Sequence, residues 1–180
     1  MRVIAGKCRS LQLKTPRGYN TRPTLDRIKE TLFNIIQNDV PGAVVADIFA
    51  GSGALGIEAL SRGAVHSYFI DKDLESIKCI NDNLKFTRLT DCSTIISGDV
   101  FSAISRIDRK HVDIIFIDPP YEGGYEERLF SFLKDASFVD EDTLIVLESA
   151  IDKTFEYDGF EIIKIKEYKT NKHSFFRRII

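Results

Sequence analysis

The chain has 180 residues, of which 43% are hydrophobic and 29% are charged, as in an ordinary globular protein with one sizeable core. It contains no apolar run near 18 residues and no long apolar segment at its start, so neither a membrane span nor a secretory signal is predicted. The widely spaced Cys8, Cys79 and Cys92 indicate reduced thiols in a cytoplasmic protein and no metal site.

The net charge of −2 conceals an asymmetry along the chain. Residues 1–30 carry eight Lys and Arg against two Asp and Glu, and residues 161–180 carry six against two. Residues 31–160 carry 11 against 23. Two basic ends suggest a polyanionic partner, although charge alone fits solvated tails equally well. Both ends have the patterns of structured segments, which favours the first interpretation.

The N-terminal part is predicted to contain two strands and a helix. Residues 2–5 and 11–14 flank the polar turn Lys7-Cys8-Arg9-Ser10, so they are predicted to be short strands. Residues 15–23 form a loop rich in turn residues and arginine. Apolar residues then recur at helical spacing from Leu25 to Ile36, which predicts an amphipathic helix.

Predicted strands and helices alternate through the rest of the chain. The strands are predicted at residues 43–49, 65–70, 94–97, 111–117, 143–148, 160–168 and 174–180. The alternation predicts an α/β, Rossmann-like fold with a mostly parallel sheet and helices on both faces. The closing hairpin requires one late antiparallel strand. We expect a single domain over 1–180, with 1–40 as an extension on the core at 41–180.

A glycine-rich turn follows the first core strand. Gly51, Gly53 and Gly56 fit the G-x-G-x-x-G pattern of a strand–turn–helix cofactor site, which serves NAD or S-adenosylmethionine. A pyrophosphate disfavours a nearby carboxylate, and Asp47 lies just before the turn. The same carboxylate would favour the ammonium and sulfonium groups of S-adenosylmethionine. Asp47 therefore favours S-adenosylmethionine as the cofactor.

Acids also follow the second and third core strands. Ligands of such folds bind at the carboxyl ends of the strands. Asp71 is placed to accept hydrogen bonds from ribose hydroxyls, which either cofactor has. Asp99 could face an adenine amino group, although a helix cap is the simpler role for it. The predicted cofactor-binding residues are Asp47, Phe49, Ala50, Gly51, Ser52, Gly53, Asp71, Lys72, Asp99 and Val100.

The sequence Asp118-Pro119-Pro120-Tyr121 follows the fourth core strand. An exocyclic amino nitrogen on a base is a poor nucleophile because its lone pair is delocalised into the ring. The carboxylate of Asp118 and the carbonyl of Pro119 could accept its N–H hydrogen bonds, and Tyr121 could stack on an extruded base. These four residues are the predicted catalytic residues for methyl transfer by in-line displacement. Alone, the tetrapeptide would indicate only a rigid turn.

Residues 47–64, together with Asp118-Pro119-Pro120-Tyr121, resemble class I methyltransferases that act on amino groups of bases. Residues 2–7 and Thr21-Arg22-Pro23-Thr24 narrow the resemblance to the RsmD-type enzymes, over essentially the whole chain. The resemblance implies a seven-stranded sheet with an antiparallel last strand. It also implies S-adenosylmethionine-dependent methylation of the N2 amino group of a guanine in 16S rRNA, at the position numbered 966 in that family.

The resemblance implies that the partner is 16S rRNA or the assembling small ribosomal subunit. Neither membrane association nor an obligate protein partner is implied. It gives the basic ends a role in holding rRNA phosphates. For each arginine, a surface salt bridge is an equally good alternative. His66, His111 and His173 lack metal or triad spacing and are expected to be non-catalytic. The predicted RNA-binding residues are Arg2, Lys7, Arg9, Tyr19, Arg22 and Arg27.

Three other functions fit parts of the pattern. An adenine-N6 methyltransferase of RNA or DNA could use Asp118-Pro119-Pro120-Tyr121 equally well, although no additional target-reading domain is apparent. A non-catalytic RNA-binding assembly factor would not need Asp118 and Tyr121. An NAD oxidoreductase is disfavoured by Asp47.

Overall fold

The computed structural model describes residues 1–16, 23–120 and 124–179, without the side chains of residues 23–25. The helices are α1 (Pro23–Ile35), α2 (Ala54–Ser61), α3 (Leu74–Thr87), α4 (Val100–Ile104) and α5 (Tyr125–Asp135), with a short 3₁₀ helix at Thr90–Cys92. The strands are β1 (Val44–Ile48), β2 (His66–Asp71), β3 (Ser93–Ser97), β4 (Ile114–Ile117), β5 (Leu144–Ala150), β6 (Phe160–Glu167) and β7 (Asn171–Arg178).

The strands form one seven-stranded sheet with the order β3-β2-β1-β4-β5-β7-β6. Strands β1 to β5 pair in parallel, and β7 lies antiparallel between β5 and β6. This arrangement confirms the predicted Rossmann-like class I methyltransferase fold with an antiparallel last strand. The order reverses between β1 and β4, so the carboxyl ends of these two strands border the crevice where such folds bind ligands.

Each face of the sheet carries its own hydrophobic core. Helices α1, α2 and α3 and the N-terminal segment cover one face, where the ring centroids of Phe33 and Phe116 lie 5.7 Å apart. Helices α4 and α5 cover the other face, where Phe130 packs against Phe176. Burial on both sides explains why β1 and β4 are almost continuously apolar.

The two predicted N-terminal strands are wrong. Residues 2–5 and 11–14 share only an isolated bridge between Arg2 and Gln12. The backbone N–H groups of Ile4 and Ala5 donate instead to the buried carboxylate of Glu58, at 2.8 and 3.0 Å. The chain then turns away, so a regular ladder cannot continue.

Two core strands differ from their predicted bounds. Strand β4 starts at Ile114 rather than at residue 111, because Val112 N–H donates to the carbonyl of Phe138 outside the sheet. Strand β7 starts at Asn171 rather than at residue 174, because the turn before it is short. Among the described residues, no helix is both long and apolar enough to cross a membrane.

Candidate active site

The glycine turn joins β1 to α2 in a backbone conformation that few residue types adopt. Gly51 and Gly53 have φ values of 54° and 76°, and Phe49 has a φ of 63°. A Cβ on Gly56 would lie 2.4 Å from the ring of Phe69, so this glycine lets α2 pack directly on β2. The turn therefore has the backbone geometry that the three-glycine pattern predicts.

Two carboxylates stabilise this turn by accepting hydrogen bonds from backbone N–H groups. Asp47 Oδ2 accepts a hydrogen bond from Gly56 N–H at 2.9 Å, and Asp71 Oδ2 accepts one from Gly51 N–H at 2.8 Å. Asp71 Oδ1 also accepts from Asp73 N–H at 2.9 Å. Each of these oxygens has a second lone pair, so Asp71 can still accept a hydrogen bond from a ligand.

Asp47 is the buried member of this pair, with only 2% of its surface exposed. Desolvation raises the pKa of its carboxyl group to about 7, although the hydrogen bond from Gly56 opposes the shift. The negative charge of Asp71 adds to the rise. Asp47 therefore stabilises the turn from a buried position. Its contact with a cofactor stays a prediction.

A pocket lies beside the turn, at the carboxyl ends of β2 and β3. Its lining includes five of the predicted cofactor residues, namely Phe49, Asp71, Lys72, Asp99 and Val100. Ala50, Gly51, Ser52 and Gly53 form the adjacent turn rather than this wall. Asp99 also caps α4, since its Oδ1 accepts from Phe101 N–H at 3.1 Å.

The aromatic wall of this pocket was not predicted from the sequence. The ring of Tyr125 packs edge-on against Phe49 with centroids 5.3 Å apart, and it stacks with Phe101 at 6.3 Å. The guanidinium of Arg128 lies 3.7 Å from the centroid of Phe101. Tyr125 is the first residue of α5, and its helical pattern gave no sign that its ring would reach the β1 turn.

Asp118, Pro119 and Pro120 follow β4 at the same edge of the sheet, while Tyr121 lies outside the described residues. Desolvation by the surrounding protein raises the pKa of the Asp118 carboxyl group, and repulsion from Glu148 and Asp47 raises it further. Asp118 is nevertheless exposed to water, so repulsion from these two carboxylates, rather than desolvation, is the main cause of the raised pKa. Because β4 pairs with β1, Asp118 lies next to the glycine turn.

A second polar cluster adjoins Asp118 on β5 and β7. Asp118 and Glu148 each come one residue after the last β4–β5 pair, Ile117 with Leu147, and Glu148 pairs directly with His173. Glu148 accepts hydrogen bonds from His173 Nε2 at 3.2 Å and from Asn171 Nδ2 at 2.5 Å. Tyr168 Oη lies 3.0 Å from His173 Nδ1, so the cluster continues to the β6–β7 turn.

These hydrogen bonds set the charge of Glu148. Burial alone would raise the pKa of this carboxyl group, but the hydrogen bonds and charge of His173 and the hydrogen bond from Asn171 bring it below its ordinary value. Glu148 is therefore ionised next to Asp118. The sequence analysis did not find this cluster, because its members have no local spacing pattern.

The predicted RNA-binding residues divide into three groups. Lys7 and Arg9 are exposed, and Arg2 is exposed but pairs with Asp26, Nε to Oδ2, at 3.5 Å. Arg27 is exposed on α1 and lines a groove next to the β6–β7 turn. Tyr19 and Arg22 lie outside the described residues.

A buried ion cluster holds the N-terminal segment on α2. Glu58 is fully buried, and its carboxylate lies 3.1 Å from Lys29 Nζ and 2.8 Å from Arg62 Nε. Lys29 Nζ also donates to the carbonyl of Arg2 at 2.6 Å. The basic segment is thus a fixed part of the molecule, as the sequence analysis favoured, and not a solvated tail.

The sheet order, the glycine turn and Asp118-Pro119-Pro120 at the end of β4 define a Rossmann-like class I methyltransferase. Within that class, the chain belongs to the family described as "Conserved hypothetical protein 95", the family of the RsmD-type methyltransferases, whose model matches residues 1–177. The resemblance read from the sequence is therefore confirmed.

Individual relatives agree with this assignment. YlbH of Bacillus subtilis, provisionally named an rRNA methyltransferase, is 39% identical over 82% of each chain. "Ribosomal RNA small subunit methyltransferase D" of Escherichia coli is 34% identical over 84% of this chain and 76% of its own. The solved structure of Escherichia coli yhhF, provisionally titled a methyltransferase, has a TM-score of 0.85 at 30% identity, covering 99% of this chain and 97% of that one.

Proposed function

We propose that this protein transfers a methyl group from S-adenosylmethionine to the exocyclic N2 of a guanine in 16S rRNA, of the guanine-966 type. The observation that carries the proposal is the position of Asp118 directly after β4, the strand that pairs with β1 before the glycine turn. An acceptor for amino N–H groups and a cofactor pocket thus share one edge of the sheet. The names of the relatives support rRNA of the small subunit as the substrate class.

The residues around the pocket fit S-adenosylmethionine. Asp71 and Asp99 offer oxygens to ribose hydroxyls and to an adenine amino group, and Phe49 and Tyr125 offer apolar walls to the adenine. A Cβ on Gly51 would meet nothing nearer than 4.0 Å, so the backbone of the turn is open on that side. The carboxylates, with Asp47 beneath the turn, favour a cationic cofactor over a pyrophosphate.

When bound, S-adenosylmethionine supplies an electrophilic methyl group on a sulfonium. The chain supplies acceptors for the target amine: the carboxylate of Asp118 and the carbonyl of Pro119 can each take one N–H hydrogen bond. This draws the nitrogen toward tetrahedral geometry and turns its lone pair toward the methyl-donor side. The proton released after transfer can pass to Asp118 or to water.

The test is radiolabelled methyl transfer to 16S rRNA and to small-subunit particles from a strain that lacks the protein. Mass spectrometry of the labelled nucleoside should identify N2-methylguanosine. N6-methyladenosine would instead establish an adenine methyltransferase, and the absence of any transfer with tight RNA binding would indicate a non-catalytic assembly factor. Labelling in particles but not in naked RNA would identify the assembling subunit as the partner.

The Asp118→Asn variant tests the role of the carboxylate. We expect it to lower the transfer rate on the order of 10²–10³-fold, because the remaining amide oxygen has no negative charge to strengthen the hydrogen bond or to take up the released proton. Calorimetry should show nearly unchanged binding of S-adenosylmethionine. Asp91→Asn, at an exposed position on the short 3₁₀ helix, is the matched control and should leave both quantities unchanged. A joint loss of cofactor binding and activity in Asp118→Asn would contradict this role.

A further inference from the structure

A groove lies between α1 and the β6–β7 turn, on the side of Asp118 away from the cofactor pocket. It has a volume of about 350 Å³, at the lower end of the range for ligand sites. Its walls include Arg27 and Ile28 from α1, and Lys166, Tyr168 and Asn171 from the hairpin. Neither the proposed cofactor nor the target base accounts for this groove.

The groove is connected to the catalytic residues by a row of side chains across four strands. Lys166 on β6 pairs with His173 on β7, which pairs with Glu148 on β5, and Glu148 lies beside Asp118 after β4. Residues in register across a sheet point to the same face, here the face that α1 covers. Three strand spacings separate Lys166 from Asp118, or about 14 Å.

The charge of the groove suits a polyanion. Three cations, Arg27, Lys166 and Lys169, line it, and none of its lining residues is acidic. Among the described residues, none of the three cations forms an ion pair. Unpaired cations around a concave surface attract phosphates, with counterion release as the driving force.

The groove also contains an aromatic ring in a fixed position. The hydroxyl of Tyr168 is hydrogen-bonded to His173, and the two rings meet edge-on with centroids 5.2 Å apart. Aromatic rings beside cations form the usual platform for single-stranded nucleic acid, because every base has a face that can stack.

We propose that this groove binds the single-stranded RNA that flanks the target base, with phosphates on Arg27, Lys166 and Lys169 and a base on Tyr168. The distance of about 14 Å from Lys166 to Asp118 corresponds to a few nucleotides of RNA. The identity of the RNA as rRNA rests on the proposed function, whereas the location of the groove does not. An acidic peptide is the competing occupant.

The test measures binding of a fluorescent 12-nucleotide single-stranded RNA by anisotropy over a range of salt concentrations. Neutralising two groove cations in Lys166→Gln/Lys169→Gln should weaken binding at least tenfold at low salt and reduce the slope of log K against log salt by about 1.4. The matched control is Lys85→Gln/Lys110→Gln, at two exposed lysines outside the groove, which should change affinity less than twofold.

Variants of Tyr168 distinguish base stacking from charge as the source of RNA affinity. Tyr168→Ala should weaken RNA binding roughly 5- to 150-fold, because base–aromatic stacking contributes about 1–3 kcal/mol per base. Tyr168→Phe keeps the ring but loses the hydrogen bond to His173, so it should bind RNA like the wild type. If it instead behaves like Tyr168→Ala, the ring is not a stacking surface and the proposal is overturned.

The outcomes distinguish this inference from the proposed function. Weakened RNA binding in the groove variants, with no methyl transfer by the wild type, would support the groove and refute the methyltransferase proposal. Unchanged RNA binding in these variants, with 16S rRNA methylated by the wild type, would overturn the groove alone. Loss of binding to a polyglutamate peptide, with RNA binding intact, would overturn it in favour of a protein partner.

Discussion

The buried carboxyl group of Asp47 should make the stability of this protein depend on pH in a defined direction. Its pKa is raised from an ordinary value of 3.8 to about 7, so the folded state binds this proton more tightly than the unfolded chain. The resulting stability is fully present below pH 3.8 and is lost as the pH rises through 7. A shift of this size corresponds to about 4 kcal/mol at most.

The Asp47→Asn variant removes this charge at every pH and retains an oxygen that can accept from Gly56 N–H. The free energy of unfolding of the variant, relative to wild type, should therefore increase by about 2–3 kcal/mol between pH 5 and pH 8.5. Urea denaturation at the two pH values measures the difference. At pH 8.5, where Asp47 is ionised, the same variant should bind S-adenosylmethionine on the order of tenfold more weakly, because the cationic cofactor loses a nearby negative charge.

Asp91→Asn is the control for the denaturation experiment. Asp91 is exposed and makes no side-chain hydrogen bond or ion pair among the described residues, so its change should leave stability the same at both pH values. A difference between Asp47→Asn and wild type that does not vary with pH would refute the reasoning. So would a variant that is less stable than wild type at pH 8.5.

Two further predictions concern the ion cluster and the catalytic edge. Glu58→Ala should destabilise the fold by about 3–5 kcal/mol in urea denaturation, because it leaves Lys29 buried without its partner. Adding Lys29→Met should recover much of this loss; a loss below 1 kcal/mol in the single variant would contradict a buried cluster. Glu148→Gln should lower the pKa of Asp118 by removing a like charge, and so move the acid limb of the pH–rate profile to lower pH. An unmoved acid limb would show that Glu148 does not act on Asp118.

The carboxyl edge of the sheet has two halves with different chemistry. On the β1–β3 side, the pocket combines carboxylates with the rings of Phe49 and Tyr125, which suits a cationic cofactor. On the β5–β7–β6 side, the groove carries three cations and no acidic lining residue, which suits a polyanion. Asp118 stands between them, where β4 neighbours both β1 and β5. The proposed RNA binding is therefore compatible with the net charge of −2 of the whole chain.

Several parts of this arrangement are readable from the sequence because they depend on local pattern. Alternating apolar runs and helical stripes predict the α/β class, and the confirmed seven-stranded sheet follows from it with the family resemblance. The glycine spacing predicts the turn after β1, where φ values above 0° require glycine at Gly51 and Gly53. Strand-end positions predict that Asp71 and Asp99 share one pocket, as they do.

The N-terminal segment shows where local pattern fails. A strand is predicted at residues 2–5, but the carboxylate of Glu58, more than 50 residues away in the chain, accepts hydrogen bonds from the N–H groups of Ile4 and Ala5. A long-range carboxylate therefore overrides the local preference. The lengths of β4 and β7 differ from expectation for a similar reason, since hydrogen bonds and turns outside the strand set their ends.

The sequence by itself determined the fold class, the glycine turn and the position of Asp118 at a strand end, because each depends on residues that are neighbours in the chain. Only the tertiary structure decided that Glu148 meets His173, that Tyr125 closes the pocket, and that Lys166 stands in the same row as Asp118. The physical reason is strand register. Hydrogen bonding between strands aligns residues that are far apart in the chain, and no periodicity within either strand specifies which residues will face each other.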